Sequence, residues 1–268
     1  MIQQANSNIL GILVLIALVV FAVKIIQKRS GFANPMNDML DNRSYSGTKD
    51  LNNKLIDFYH QVLTKYIDYY RKLDKPDRRK FINRLHEFIE TMEFRGEQGQ
   101  EINLKVCVLC AAPAIQISMG LDTYIFNSYH TIIVYPRQFY SERHGAYVKG
   151  GAGNGHVIFF SLQDLMKGFE IPDDALNLGL HEMAHAIHVE YFDDKFEAKF
   201  PKWEKLAKEE LKKISSKSNS VLRNYAENNT HELFAVCVET FFEQPNQLKA
   251  QSHVLYEMMC ELLNQRPT

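Results

Sequence analysis

Apolar residues fill positions 9–23 without a single charge, and after Lys24 the apolar character resumes at Ile25 and Ile26. A lysine can snorkel, so the effective span approaches the ~20 residues a bilayer requires. Lys24, Lys28 and Arg29 follow the run, whereas Met1–Asn8 contains no Lys or Arg. A cleaved signal peptide would carry its positive charge first. The pattern predicts an N-terminal anchor at residues 1–29, with one transmembrane helix at 9–26. The positive-inside rule places the rest of the chain in the cytoplasm, at the inner (cytoplasmic) membrane. Residues 30–50 are polar, with Gly, Pro and Asn, and predict a linker.

From residue 51 the pattern turns helical and predicts one domain over 51–268. Leu55, Phe58, Tyr59, Val62, Leu63, Tyr66 and Tyr70 mark the inner face of a helix over Leu51–Leu73. Lys75-Pro76-Asp77 breaks it, and a second helix runs from Asp77 to about Met92. Phe94–Asn103 reads as a turn-rich connection. Leu104–Ile117 reads as a buried helix, with strand as the alternative that periodicity does not remove. Tyr129–Tyr135, stopped by Pro136, and His156–Ser161 are β-branched or aromatic runs that predict strands. Between them the glycines of 150–155 predict a hinge or hairpin tip. They lack the G-K-[ST] of a phosphate loop and lead into a strand. Further helices are expected at Leu162–Lys167, Leu176–Glu190, from Lys202 to Ile214, at His231–Glu243 behind a Thr230 cap, and at Gln247–Leu263, with a loop at Ser215–Ser220. The fold class is α+β, mainly helical with a small β-sheet.

The helix at Leu176–Glu190 carries the chemistry. It contains His181-Glu182-Met183-Ala184-His185, a complete H-E-x-x-H. Positions i and i+4 share a helix face, so both imidazoles can reach one divalent metal. Glu182 stands beside the first of them, where it can handle a proton of water. The flanking Leu176, Leu178, Leu180, Met183, Ala184, Ala186, Ile187 and Val189 are apolar, which predicts a largely buried helix. Buried histidines and a buried glutamate are costly unless something satisfies them.

Composition adds mainly exclusions. The 268 residues are 46% hydrophobic and 24% charged, with a formal net charge of −1. That balance suits a globular protein and gives no electrostatic footprint for nucleic acid. Four cysteines make no disulfide framework, and Cys107-x-x-Cys110 lies in an apolar run with no second pair, which predicts packed thiols.

A catalytic zinc takes three protein ligands and leaves one position for water. Six residues beyond His185 stands Tyr191, so a metzincin-type third histidine is excluded. A helix does not readily aim His181, His185 and His188 at one tetrahedral ion, which sets His188 aside. A glutamate on the helix after Thr230 is the better source, and Glu232 and Glu239, seven residues apart on one face, both qualify. The strand at Val157–Phe160, beside the metal helix, is a candidate edge for peptide binding by strand addition.

Tyr225–Glu232, the following Leu-Phe-Ala-Val, and Glu239-Thr-Phe-Phe-Glu-Gln-Pro245 resemble the Mlc titration factor A family of zinc peptidases. More distantly they are similar to the catalytic domain of the lethal-factor metalloprotease. The resemblance extends over about residues 70–250, with Lys75–Arg79, the His130–Pro136 strand and the His181 motif. It implies a zincin-like fold of the gluzincin type, in which Zn²⁺ is held by His181, His185 and Glu232. It also places Tyr225 near the metal, where its hydroxyl would stabilise an oxyanion. Glu182 would then be the general base and Glu239 the acceptor for an imidazole N–H. His231 and Leu233 replace a small residue and an aromatic that flank the glutamate in the family, and His188 replaces an aspartate common among its members. The implied activity is peptide-bond hydrolysis of an aminopeptidase-like kind on a peptide or protein substrate. The family's founding name also raises a second possibility, a membrane-tethered zinc module that binds a transcriptional regulator without hydrolysis.

Overall fold

A computed structural model describes residues 48–153, 156–190, 200–214 and 230–267. The anchor at 1–29, the linker up to residue 47 and the loop at 215–220 lie outside the described residues. Among the described residues no helix is long and apolar enough to cross a membrane.

The first helical stretch is two helices, α1 (Thr48–Tyr66) and α2 (Asp68–Lys72), where one was expected over Leu51–Leu73. Ile67 between them is extended and 2% exposed, so the chain bends to bury it. Asp68 then opens α2 and pairs with Arg71 and Lys72. In α3 (Lys75–Thr91) the Asp74 side chain caps the first turn by accepting from the Asp77 N–H at 2.9 Å. α4 (Leu104–Ser118) is the buried centre of the helical layer, capped by Asn103 and packed by α1, α3 and the metal helix. Its apolar run is a helix, and Cys107 and Cys110 are packed thiols within it. Burial pushes the Cys107 thiol up to about 12.

The main sheet has strands β1 (Glu93–Gly96), β2 (Thr131–Tyr135), β5 (Gly150–Gly153) and β6 (Val157–Ser161), in the order β1-β2-β6-β5. The first three run parallel and β5 antiparallel, with Ile132 opposite Ile158 and Gly151 opposite Phe159. Ile132, Val134, Ile158 and Phe160 turn into the core. β3 (Phe139–Ser141) and β4 (Ala146–Val148) form a separate hairpin. Two expectations change here. Residues 93–96 form a strand where a turn-rich connection was expected at Phe94. The glycines of 150–153 form the sheet's edge strand, with backbone pairing in place of side-chain packing. β6 is therefore interior, flanked by β2 and β5, and Val157–Phe160 has no free edge for strand addition.

Ser161 caps α5 (Leu162–Glu170). The metal helix α6 spans Leu178–Glu190, two residues shorter than expected because Leu176 is exposed and outside the helix. α7 (Phe200–Ile214) and α8 (Thr230–Glu243) follow. The C-terminal helix is split into α9 (Pro245–Gln251) and α10 (His253–Leu263). Ser252 interrupts it, accepting from the Leu255 N–H at 3.2 Å and donating to Glu210 at 2.7 Å. α6 packs between α8, α4 and β5. Gly179 permits the crossing with α4, since a Cβ there would stand 2.6 Å from the Pro113 ring.

Candidate active site

Asn177 precedes α6 and organises its start. Its side-chain oxygen accepts from the Leu180 N–H at 3.0 Å, and its carbonyl accepts from the His181 N–H at 2.9 Å. At the other end Glu190 accepts from the backbone N–H groups of Asn127 and Ser128, at 2.8 and 2.7 Å. Leu180, Met183, Ala184 and Ile187 are buried, so the rotation of the helix is fixed. The opposite face then turns His181 and His185 towards α8.

On α8, Glu232 meets both rings. His185 Nε2 lies 3.2 Å from Glu232 Oε1, and His181 Nε2 lies 3.3 Å from Glu232 Oε2. The two Nε2 atoms are 3.2 Å apart. Bonds of ~2.0–2.1 Å in a tetrahedral shell put neighbouring donors about 3.3 Å apart. Each ring meets a different oxygen of Glu232 at about that spacing, and the three residues offer ligand atoms that all lie within 4.8 Å of one another, a set of two imidazoles and a carboxylate that suits a divalent metal ion. Among the described residues this is the one group of three or more His, Cys, Asp or Glu able to hold a metal ion.

Glu239, only 2% exposed, lies behind the triangle. It accepts from His181 Nδ1 at 2.8 Å and from the Asn177 N–H at 2.8 Å. With Nδ1 donating to Glu239, Nε2 is the ring atom left facing the other two groups, and it can ligate a metal once its own proton is displaced. Burial opposes charge on His181, but its hydrogen bonds to Glu232 and Glu239 carry its pKa up to about 10. The same imidazoles hold the Glu232 carboxyl far below the usual carboxylate range.

Glu182 points the other way, towards β5. It is 7% exposed, and a Cβ on Gly150 would stand 2.9 Å from its Cγ and its Oε1. Burial raises its pKa above the usual range, with His181 and His185 opposing the rise. His188 is not part of the triangle. Its ring packs 4.2 Å from that of His231 and 5.7 Å from that of Phe234. Burial, with help from His231 and His185, lowers its pKa to about 3, so it is neutral. Tyr225 lies outside the described residues.

Thus His181, His185 and Glu232 come together, Glu239 stands behind His181, and Glu182 stands beside it. Pattern reasoning missed Asn177, Gly150 and Glu243, the last of which accepts from Asn177 Nδ2 at 2.8 Å. An asparagine just ahead of Leu-Gly-Leu is an N-cap signal that was legible. The other two act only through long-range contacts.

A helical layer on a small sheet, with three convergent donors and a buried carboxylate next to them, has the make-up of a metallopeptidase. The family can be stated as well: the model of the glucose-regulated metallo-peptidase M90 family matches residues 42–263, and the chain belongs to that family. It is also similar to the uncharacterized protein slr2042 of Synechocystis sp., 22% identical over 226 residues, which cover 75% of this chain and 81% of that protein.

Proposed function

We propose that the chain is a zinc-dependent peptidase of aminopeptidase-like activity, in which His181, His185 and Glu232 hold the ion and Glu182 is the general base. The observation that carries this is the convergence of His181, His185 and Glu232, with contacts of 3.2, 3.2 and 3.3 Å among them and ligand atoms within 4.8 Å of one another, and Glu182 beside them. Zinc bound there supplies a Lewis acid for the scissile carbonyl and acidifies water towards a pKa of ~7. Glu182 takes a proton from the attacking water and later delivers it to the leaving amine nitrogen. Its burial serves that task, because a raised carboxyl pKa lets it hold the proton between the two steps. Glu239 orients His181 through Nδ1. Tyr225 donates a hydrogen bond to the oxyanion, a role that rests on the family resemblance. The extended substrate lies along β5, whose outer edge pairs with no other strand among the described residues.

The test is zinc content and peptide turnover of the full-length chain beside Glu182→Gln. One zinc per chain in both, with turnover lower in the variant by about 10²–10⁴-fold, is expected. Undiminished turnover in Glu182→Gln sinks the assignment. Zinc in both with turnover in neither favours a module that binds a transcriptional regulator without hydrolysis. We propose also that residues 9–26 anchor the chain in the cytoplasmic membrane, on the strength of the uncharged run and the basic residues after it. Recovery of the full-length chain in the soluble fraction after cell lysis would refute the anchor.

A further inference from the structure

Four glycines lie in the stretch 150–155, yet the left-handed position that follows them, with φ of +59°, carries His156. That conformation suits glycine, and a side chain held in it is strained. The imidazole so aimed is fixed in place. His156 Nδ1 lies 2.6 Å from the Ser128 carbonyl. A carbonyl only accepts, so in the neutral ring Nδ1 carries the proton and Nε2 carries the lone pair. Ser128 is fixed in turn, since its N–H donates at 2.7 Å to Glu190, the last residue of α6.

A second histidine stands across from the first. β2 and β6 run parallel with Thr131 opposite Val157, and just before them the His130 N–H donates to the His156 carbonyl at 3.0 Å. The His130 carbonyl accepts from the Glu93 N–H at 2.8 Å, so its backbone is held on both sides. Both histidines are exposed at this end of the sheet. Their rings are nearly parallel, at 21°, with centroids 5.8 Å apart, too far for face-to-face contact. Among the described residues no hydrogen bond reaches the His130 ring or His156 Nε2. Two imidazoles on one tetrahedral ion, with bonds of ~2.0–2.1 Å, have centroids about 5 Å apart. The rings of His181 and His185 are 4.8 Å apart. A turn of the exposed His130 side chain closes the remaining difference without moving either strand.

We propose that His130 and His156 form a second metal site, for a late first-row divalent ion that keeps water in its other positions. Imidazole nitrogen suits Cu²⁺, Ni²⁺ and Zn²⁺, whereas Mg²⁺ and Ca²⁺ take oxygen ligands. Cu²⁺ binds such a donor pair more tightly than Zn²⁺. The Ser128 carbonyl serves His156 as Glu239 serves His181: it takes the Nδ1 proton, orients the ring and makes Nε2 the more basic. The strained backbone of His156 has a use in this reading, because it delivers that ring beside His130.

Equilibrium dialysis of the full-length chain tests the site with Cu²⁺, Zn²⁺ or Mg²⁺ as the sole added ion, at about 50 μM free concentration, above a micromolar dissociation constant. The readout is the ion bound by the parent less that bound by His130→Gln or by His156→Asn. Both positions are exposed, and asparagine tolerates the left-handed backbone. Each variant is expected to bind one Cu²⁺ fewer than the parent, with a smaller deficit for Zn²⁺ and none for Mg²⁺. His253→Gln, at an exposed histidine on α10, is expected to match the parent. Labelling with diethyl pyrocarbonate gives a second readout, in which Cu²⁺ is expected to slow modification of His130 and His156 together and to leave His253 at its own rate. Equal Cu²⁺ in parent and variants, a deficit in one variant alone, a deficit for Mg²⁺, or labelling of the pair unchanged by Cu²⁺ would each overturn the site. His181, His185 and Glu232 are intact in every variant, so a failure here is separate from a failure of the peptidase proposal.

Discussion

On the α8 side of α6, Glu239 is 2% exposed and commits its oxygens to His181 Nδ1 and to the Asn177 N–H. On the β5 side, Glu182 is nearly as buried at 7%, yet it makes no hydrogen bond among the described residues and faces the bare backbone of Gly150. The two carboxylates are close neighbours of the same imidazole. One is locked by partners and can only orient. The other has burial without partners, which raises its pKa and leaves it available to move a proton. Under the proposed function, positioning and proton transfer are thus separated by which neighbouring element each carboxylate meets, not by residue type.

The β5 side offers the most sensitive way to break that comparison. Gly150→Ala places a methyl group 2.9 Å from Glu182 Cγ and Oε1, and 3.0 Å from Leu178 Cδ1. β5 is an edge strand, so the backbone and Glu182 both shift to relieve the clash. A misplacement of about 1 Å can cost ~10²-fold in rate. Turnover is expected to fall by about that factor while metal content stays at the parent's level. An alanine variant with parental turnover would show that the glycine serves only the strand.

The α8 side responds in metal affinity instead. Glu239→Gln can accept from His181 Nδ1 or from the Asn177 N–H, but it then points its amide at the other donor. Loss of such a supporting partner typically costs 10–100-fold in metal affinity. That drop is expected in a competition titration with a chelator, with turnover at saturating metal much less affected. Equal affinity in the variant would mean that His181 is held by packing alone.

The parts of this comparison differ in how far the sequence reveals them. His181, Glu182 and His185 sit within one helical turn, so local spacing alone sets them on their faces. Glu232 and Glu239 were both visible as carboxylates on an apolar helix, but their roles depended on which turn of α8 meets which turn of α6, a tertiary fact. Gly150 was read as a hinge because glycine has poor strand propensity, and only pairing with β6 reveals it as an edge strand. β1 was hidden because Glu93 and Arg95 satisfy each other on its surface, leaving no apolar alternation to detect. The breaks at Ile67 and Ser252 were overlooked because apolar periodicity runs through both.

Farther along the α8 side, Glu243 extends the contrast to a third carboxylate with no imidazole in contact. Its folded pKa of about 8 lies above the unfolded value of about 4.3. The folded chain therefore binds this proton more tightly than the unfolded chain. The contribution to stability is fully present below about pH 4.3, falls as the pH rises through the window up to about 8, and is lost above it. Glu243 is partly exposed, so the linkage is screened, and a difference of about 1–2 kcal/mol is expected. Glu243→Gln accepts the same bond from Asn177 and has no proton to lose. Urea unfolding at pH 5 and pH 9 should show the parent losing about 1–2 kcal/mol more than the variant between the two conditions. Parallel profiles would place Glu243 in contact with solvent or with a cation already, and would remove the contrast between the two ends of α8.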